Sequence, residues 1–226
     1  MKRLFGGFAL IALVLGLSSE AASAQMEGLP VYGAVGPVGV TIAGDFGRGL
    51  NDESGKGNYF GGRIEVGLPA VNIYGGAGAF KPEGGESNIA FGGGLHVKLL
   101  KGPDAPVGVG VQAGAGYISE GGANFLRVPA GVVLAFKVPS TTGLVVTPWV
   151  MPRVDWQRWS FEGFDSQSEF GFGASGGLTI VLPVGLDFHA AVDWYTIDFG
   201  DGSFKPLTVG VGVSYHITVP SMAGGM

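Results

Sequence analysis

From Val38 to Ile217 the chain repeats one unit: a strand-length stretch alternating apolar with small or polar residues, closed by Gly, Pro or Asp. Alternation sends successive side chains to opposite faces of a strand. One face gathers Val, Leu, Ile and Phe; the other gathers Gly, Ala, Ser, Thr and most of the charge. The spacing predicts about ten strands, over 38–47, 59–68, 71–81, 89–100, 107–118, 125–138, 144–158, 168–182, 186–198 and 205–217. Most reach the roughly 9–11 residues that a tilted membrane strand needs. Pro148 and Pro152 each remove a ladder donor, so a bulge or local break is expected there.

The connections alternate in character. Arg48 to Asn58, Pro82 to Asn88, Ser119 to Asn124, Trp159 to Gln167 and Phe199 to Phe204 are polar and acidic. Leu68-Pro69-Ala70, Gly102 to Pro106, Pro139 to Gly143 and Pro183-Val184-Gly185 are tighter or marked by proline. Long outer loops and short periplasmic turns are the habit of bacterial barrels. An even strand number then puts both ends of the barrel chain on the periplasmic side.

Charge parity is the sharper test. With Ile64 and Val66 facing lipid, Arg63 and Glu65 face inward; with Leu95 and Val97 outside, His96 and Lys98 face inward. Leu126, Val128 and Phe136 likewise leave Arg127 and Lys137 inside, and Val150 and Val154 leave Arg153 and Asp155 inside. Phe188, Val192 and Trp194 leave Asp187, His189 and Asp193 inside. A Lys or Arg facing lipid at mid-membrane costs about 2–4 kcal/mol. These eleven residues form the expected polar lumen network, paired to plug the barrel or hydrated to line a pore. Inward glycines such as Gly110, Gly173, Gly210 and Gly212 permit either arrangement. Aromatics near the loop-side strand ends, among them Tyr59, Phe60, Phe80, Tyr117, Phe125, Trp156, Trp159, Phe170, Phe172, Trp194, Phe199 and Phe204, are expected to form an interfacial girdle.

Met1-Lys2-Arg3, the apolar run Leu4 to Leu17 and Ala22-Ser23-Ala24 have the order of a signal peptide cleaved near Ala24. Removing 24 of the 226 residues leaves 202, which suits one domain. Loss of Lys2, Arg3 and Glu20 takes the net charge from −5 to −6. Mild acidity without a basic run argues against nucleic acid as a partner. The absence of cysteine excludes a thiol nucleophile and thiolate metal sites. The organisation expected is a signal peptide at 1–24, a periplasmic lead-in at 25–37, a barrel at 38–219 and a tail at 220–226.

The leader, the alternating strands, the acidic loops and the last strand Leu207-Thr208-Val209-Gly210-Val211-Gly212-Val213-Ser214-Tyr215 resemble small bacterial outer-membrane β-barrel proteins. The resemblance is architectural and carries no family-specific motif. It implies outer-membrane lipid as surroundings, with an envelope chaperone and barrel-assembly machinery as partners. That machinery reads a terminal strand ending in an aromatic, whereas this chain continues past Tyr215 to His216-Ile217-Thr218-Val219-Pro220.

Four constellations bear on chemistry. Asp187-Phe188-His189 resembles the Asp-x-His element of omptin proteases, but it lies at the expected periplasmic end and lacks an Asp-x-Asp partner; a lumen ion pair is favoured. Ser214 with His216 is comparable to lipid A-modifying pairs and is also at the wrong end. His96, His189 and His216 have no local ligand spacing for a metal, so neither metal nor cofactor is expected. The loop acids Asp52, Glu53, Glu83, Glu86, Glu120, Glu162, Asp165 and Asp201 are expected to be solvated rather than cation-binding.

The fold class expected is therefore all-β, an antiparallel up-and-down transmembrane barrel of about ten strands (8–12 as bounds). The function expected is a non-enzymatic structural or surface-interaction barrel of the bacterial outer membrane. A small passive porin-like channel is the alternative. A barrel-embedded hydrolase and a soluble periplasmic binder of apolar ligands rank below it.

Overall fold

The computed structural model describes residues 29–33, 38–100, 106–120, 122–198 and 202–219. The expected signal peptide, the tail at 220–226 and Phe199 of the girdle lie outside the described residues. Twelve strands follow in order: β1 Gly39–Gly49, β2 Asn58–Gly67, β3 Val71–Lys81, β4 Asn88–Leu100, β5 Val107–Glu120, β6 Ala123–Phe136, β7 Val138–Pro139, β8 Val145–Phe161, β9 Gln167–Val181, β10 Leu186–Asp198, β11 Ser203–Phe204 and β12 Leu207–Ile217. β7 and β11 are two-residue pieces. The other ten pair antiparallel with their neighbours in sequence, and β1 pairs with both β2 and β12. That last ladder, from Val40↔Ile217 to Gly49↔Thr208, closes the ring. Closure pairs both edges of the sheet, which is what a sheet in hydrocarbon needs.

Alternation is carried into the barrel wall. Ile64 and Phe188 are 55% and 47% exposed on the outside, while their neighbours Glu65 and His189 are each 8% exposed inside. The outer surface is a continuous apolar skin that includes Ile42, Leu95, Val132, Val154 and Val211.

The prolines interrupt the β6–β8 ladder without shifting it. Pairing skips from Gly131↔Arg153 to Leu134↔Val150, on either side of Pro152. It stops again after Ala135↔Trp149, beside Pro148, and resumes with β7 at Val138↔Val146. β6 and β7 are thus one strand line broken where β8 has no N–H to offer. The one register shift recorded in the ladders falls between Lys98 and Leu100, where β4 bulges against β5.

The end with longer connections, here the loop end, is braced locally. Asn51 caps the 3-10 turn Asp52–Ser54, accepting from the Ser54 N–H at 3.2 Å. It also ties that loop to β12, accepting from the Leu207 N–H at 3.0 Å and donating to the Lys205 carbonyl at 2.7 Å. Asp52 lies 2.5 Å from Lys56 Nζ, and this carboxylate holds the lysine above its ordinary pKa.

Residues 29–33, part of the expected lead-in, run inside the barrel rather than leading up to it. Leu29, Val31 and Tyr32 are buried among inward side chains of several strands. An eight-stranded barrel is just filled by its own side chains. Ten strands leave more room, and this segment occupies it.

Candidate functional site

The lumen is the chemically rich part of the molecule, and it is stacked in layers. At its centre two arginines and two aspartates form a closed quartet. Arg127 Nε donates to Asp155 Oδ1 at 2.7 Å and Arg127 Nη2 to Asp193 Oδ2 at 3.3 Å. Arg153 Nε donates to Asp155 Oδ2 at 2.8 Å, and its Nη1 lies 2.9 Å from Asp193 Oδ1. Each aspartate therefore bridges both arginines. Ser175 on β9 accepts from Arg153 and donates to Asp193 Oδ1 at 2.7 Å. The Arg127 guanidinium also lies 3.9 Å from the Tyr195 ring centroid. All four charged side chains are almost fully buried, as ions out of water must be when paired.

Towards the turn end, Asp45 on β1 meets two side chains. His189 Nε2 is 2.6 Å from its Oδ1 and Arg63 Nε is 3.4 Å from its Oδ2. Tyr32 of the inner segment packs against both, with Arg63 at 4.9 Å from its ring and His189 edge-on at 4.9 Å. The segment is hydrogen-bonded into place as well. Gln112 Nε2 donates to the Tyr32 carbonyl at 2.7 Å, and the Val31 N–H donates to Asp193 at 3.4 Å.

Nearer the turns the contacts are smaller. Asn72 donates to Glu65 at 2.6 Å, Lys98 Nζ to the Leu68 carbonyl at 3.3 Å, and Ser214 to Asp187 at 3.4 Å. His96 is buried so close to Gly110 that any side chain there would meet its ring. The bare wall is thus used for close packing. Gly212 faces His189 and Asp45, Gly210 faces Tyr32 and Pro30, and Gly173 faces Arg153.

Ten of the eleven expected network residues lie buried or half-buried in the lumen, and the eleventh lies at the turn end of its strand. Lys137 is exposed at the break between β6 and β7, its N–H bonded to the Pro106 carbonyl at 2.8 Å. The register is the same on both sides of that break, so the exposure of Lys137 comes from its place at the strand end and not from a change of face. Asp187 and His189 do not pair with each other, since His189 turns to Asp45 and Asp187 to Ser214. His216 Nδ1 meets Thr41 Oγ1 at 3.1 Å rather than Ser214. Among the described residues no group of three or more His, Cys, Asp or Glu could hold a metal ion.

The expected girdle also splits. Phe60, Phe170, Phe172 and Trp194 lie on the exterior, whereas Tyr59 and Phe80 are buried within the mouth of the barrel. Asp45, Gln112, Ser175 and Tyr32 join the lumen contacts in addition to the expected residues. Asp45 has the same parity signal as the others, lying between outward Gly44 and Phe46. Tyr32 has none.

No family model and no curated protein matches the chain. Similarity to solved structures is at the level of a barrel. The translocator domain of the autotransporter NalP from Neisseria meningitidis is 14% identical, with a TM-score of 0.40 over 96% of each chain. The N-terminal β-barrel domain of Pseudomonas aeruginosa OprF is 14% identical, with a TM-score of 0.36 over 84% of this chain and 100% of that one. The outer-membrane protease OmpT from Escherichia coli is 9% identical, with a TM-score of 0.42 over 80% of this chain and 94% of that one.

Proposed function

We propose that the protein is an integral barrel of the bacterial outer membrane, delivered by its leader and barrel-assembly machinery, with a structural or surface-interaction role and a lumen closed to solutes. The observation that carries this reading is the pairing of the central charges across a lumen also filled by residues 29–33. A conducting pore needs hydrated charges; here each aspartate of the quartet is spent on two arginines. The apolar skin supports the membrane setting, because a water-soluble barrel would expose far less of it. The reading assigns no catalysis.

Planar-bilayer recording of the full chain tests it. The expected trace is silent up to about 100 mV, with openings in Arg153→Ala, where the quartet loses a member. Reproducible openings of the unmodified protein would make it the passive channel instead. Peptidase or esterase activity abolished by His189→Ala would make it an embedded hydrolase.

A further inference from the structure

The loop end of the barrel holds a cavity of about 180 Å³ above the Arg127–Asp193 layer. Phe80, Phe125, Trp159, Tyr195 and Phe204 supply its aromatic walls. Such a volume resembles that of an engineered cavity of roughly 150 Å³ that takes up benzene. It fits one ring with a short substituent.

One polar group on the wall stands out by lacking a partner. Gln157 is only 5% exposed, lines the cavity, and its Nε2 has no hydrogen-bond partner among the described residues. A carboxamide NH₂ is a donor, so its complement is an acceptor. Charge narrows the class further. Arg127 also lines the cavity, but its guanidinium is committed to Asp155 and Asp193 and stacked on Tyr195. The quartet carries two positive and two negative charges, so the floor has no net charge. Glu53 on the lining adds a negative charge that disfavours anions. Below the cavity lie the quartet and the buried residues Leu29, Val31 and Tyr32.

We propose that this mouth is a binding site for a small neutral molecule with one aromatic ring and a carbonyl-type acceptor, the ring held by the aromatic walls and the acceptor by Gln157 Nε2. The site needs only the barrel and its layered filling, and it stands whichever role the barrel has in the envelope.

Fluorine NMR of the full chain in lipid nanodiscs tests it with 4-fluoroacetophenone, 1-ethyl-4-fluorobenzene and 4-fluorobenzoate. The ketone is expected to bind saturably, about tenfold tighter than the ethyl analogue, the worth of one buried hydrogen bond. Gln157→Leu should erase that difference, with the ketone losing its advantage over the ethyl compound. Ile118→Trp, which adds bulk to a buried residue of the lining, should remove binding of both. Equal affinity for ketone and ethyl compound in the unmodified protein would overturn the proposal, as would preference for the benzoate. Binding that survives Ile118→Trp would mean lipid partition only. If that variant fails to close its barrel, the Gln157→Leu comparison decides alone.

Discussion

His189 Nε2 lies 2.6 Å from Asp45 Oδ1, joining β10 to β1 across the intervening β12. The contact is possible because Gly212, the β12 residue paired with both Asp45 and His189, has no side chain to separate them. A glycine in one strand thereby decides which side chains meet from two others. Gly212→Leu should block barrel closure, read as loss of the heat-modifiable band on gels of unboiled samples. Gly44→Ala, one position from Asp45 on the outer face with open space around it, should leave that band intact.

Asp45 pairs with Arg63 and fixes His189, so its removal takes from a buried guanidinium its ion-pair partner. Asp45→Ala should destabilise the barrel by about 3–5 kcal/mol, the usual cost of breaking one side of a buried pair. The midpoint of urea unfolding in detergent micelles, followed by tryptophan fluorescence, measures it.

The quartet should behave as a unit. Asp193→Ala strips both Arg127 and Arg153 of a partner, and Asp155→Ala does the same from the other side. Groups sharing one network are non-additive by about 0.5–3 kcal/mol. A double-mutant cycle on Asp193→Ala and Arg153→Met should show coupling in that range, since the double change removes the stranded charge along with its partner.

Residues 29–33 should be shielded from water. The chain has no cysteine, so single substitutions report cleanly. Val31→Cys, at a site 1% exposed, should react with a water-soluble maleimide at least a hundredfold more slowly than Gly202→Cys, which has open space around it. Comparable rates would show that the inner segment leaves the lumen.

Much of the fold was legible because period two is a strong signal when one face meets lipid. Strands β3 and β10 begin and end where alternation and turn residues place them. The site was legible by the same rule, since Arg127, Arg153, Asp155 and Asp193 each sit between outward apolar neighbours. The same rule reaches Asp45 and separates Tyr59 from Phe60, which as adjacent strand residues cannot share a face. Other features had no such signal. The exposure of Lys137 follows from its place at the strand end, since the register runs unchanged past Pro148. Leu29-Pro30-Val31-Tyr32-Gly33 has no alternation, and its burial depends on the width of a barrel built by residues far along the chain. Partner choice within the lumen, His189 with Asp45 rather than Asp187, follows from which strands close the ring.

Spin labels at two adjacent positions of β2 test most directly whether hydrocarbon surrounds this barrel. With nitroxides at Ile64→Cys and Glu65→Cys in reconstituted liposomes, the first should collide freely with oxygen and be hidden from an aqueous nickel chelate, while the second should be shielded from both. Nickel access at position 64 matching that of a water-exposed loop label would contradict the account.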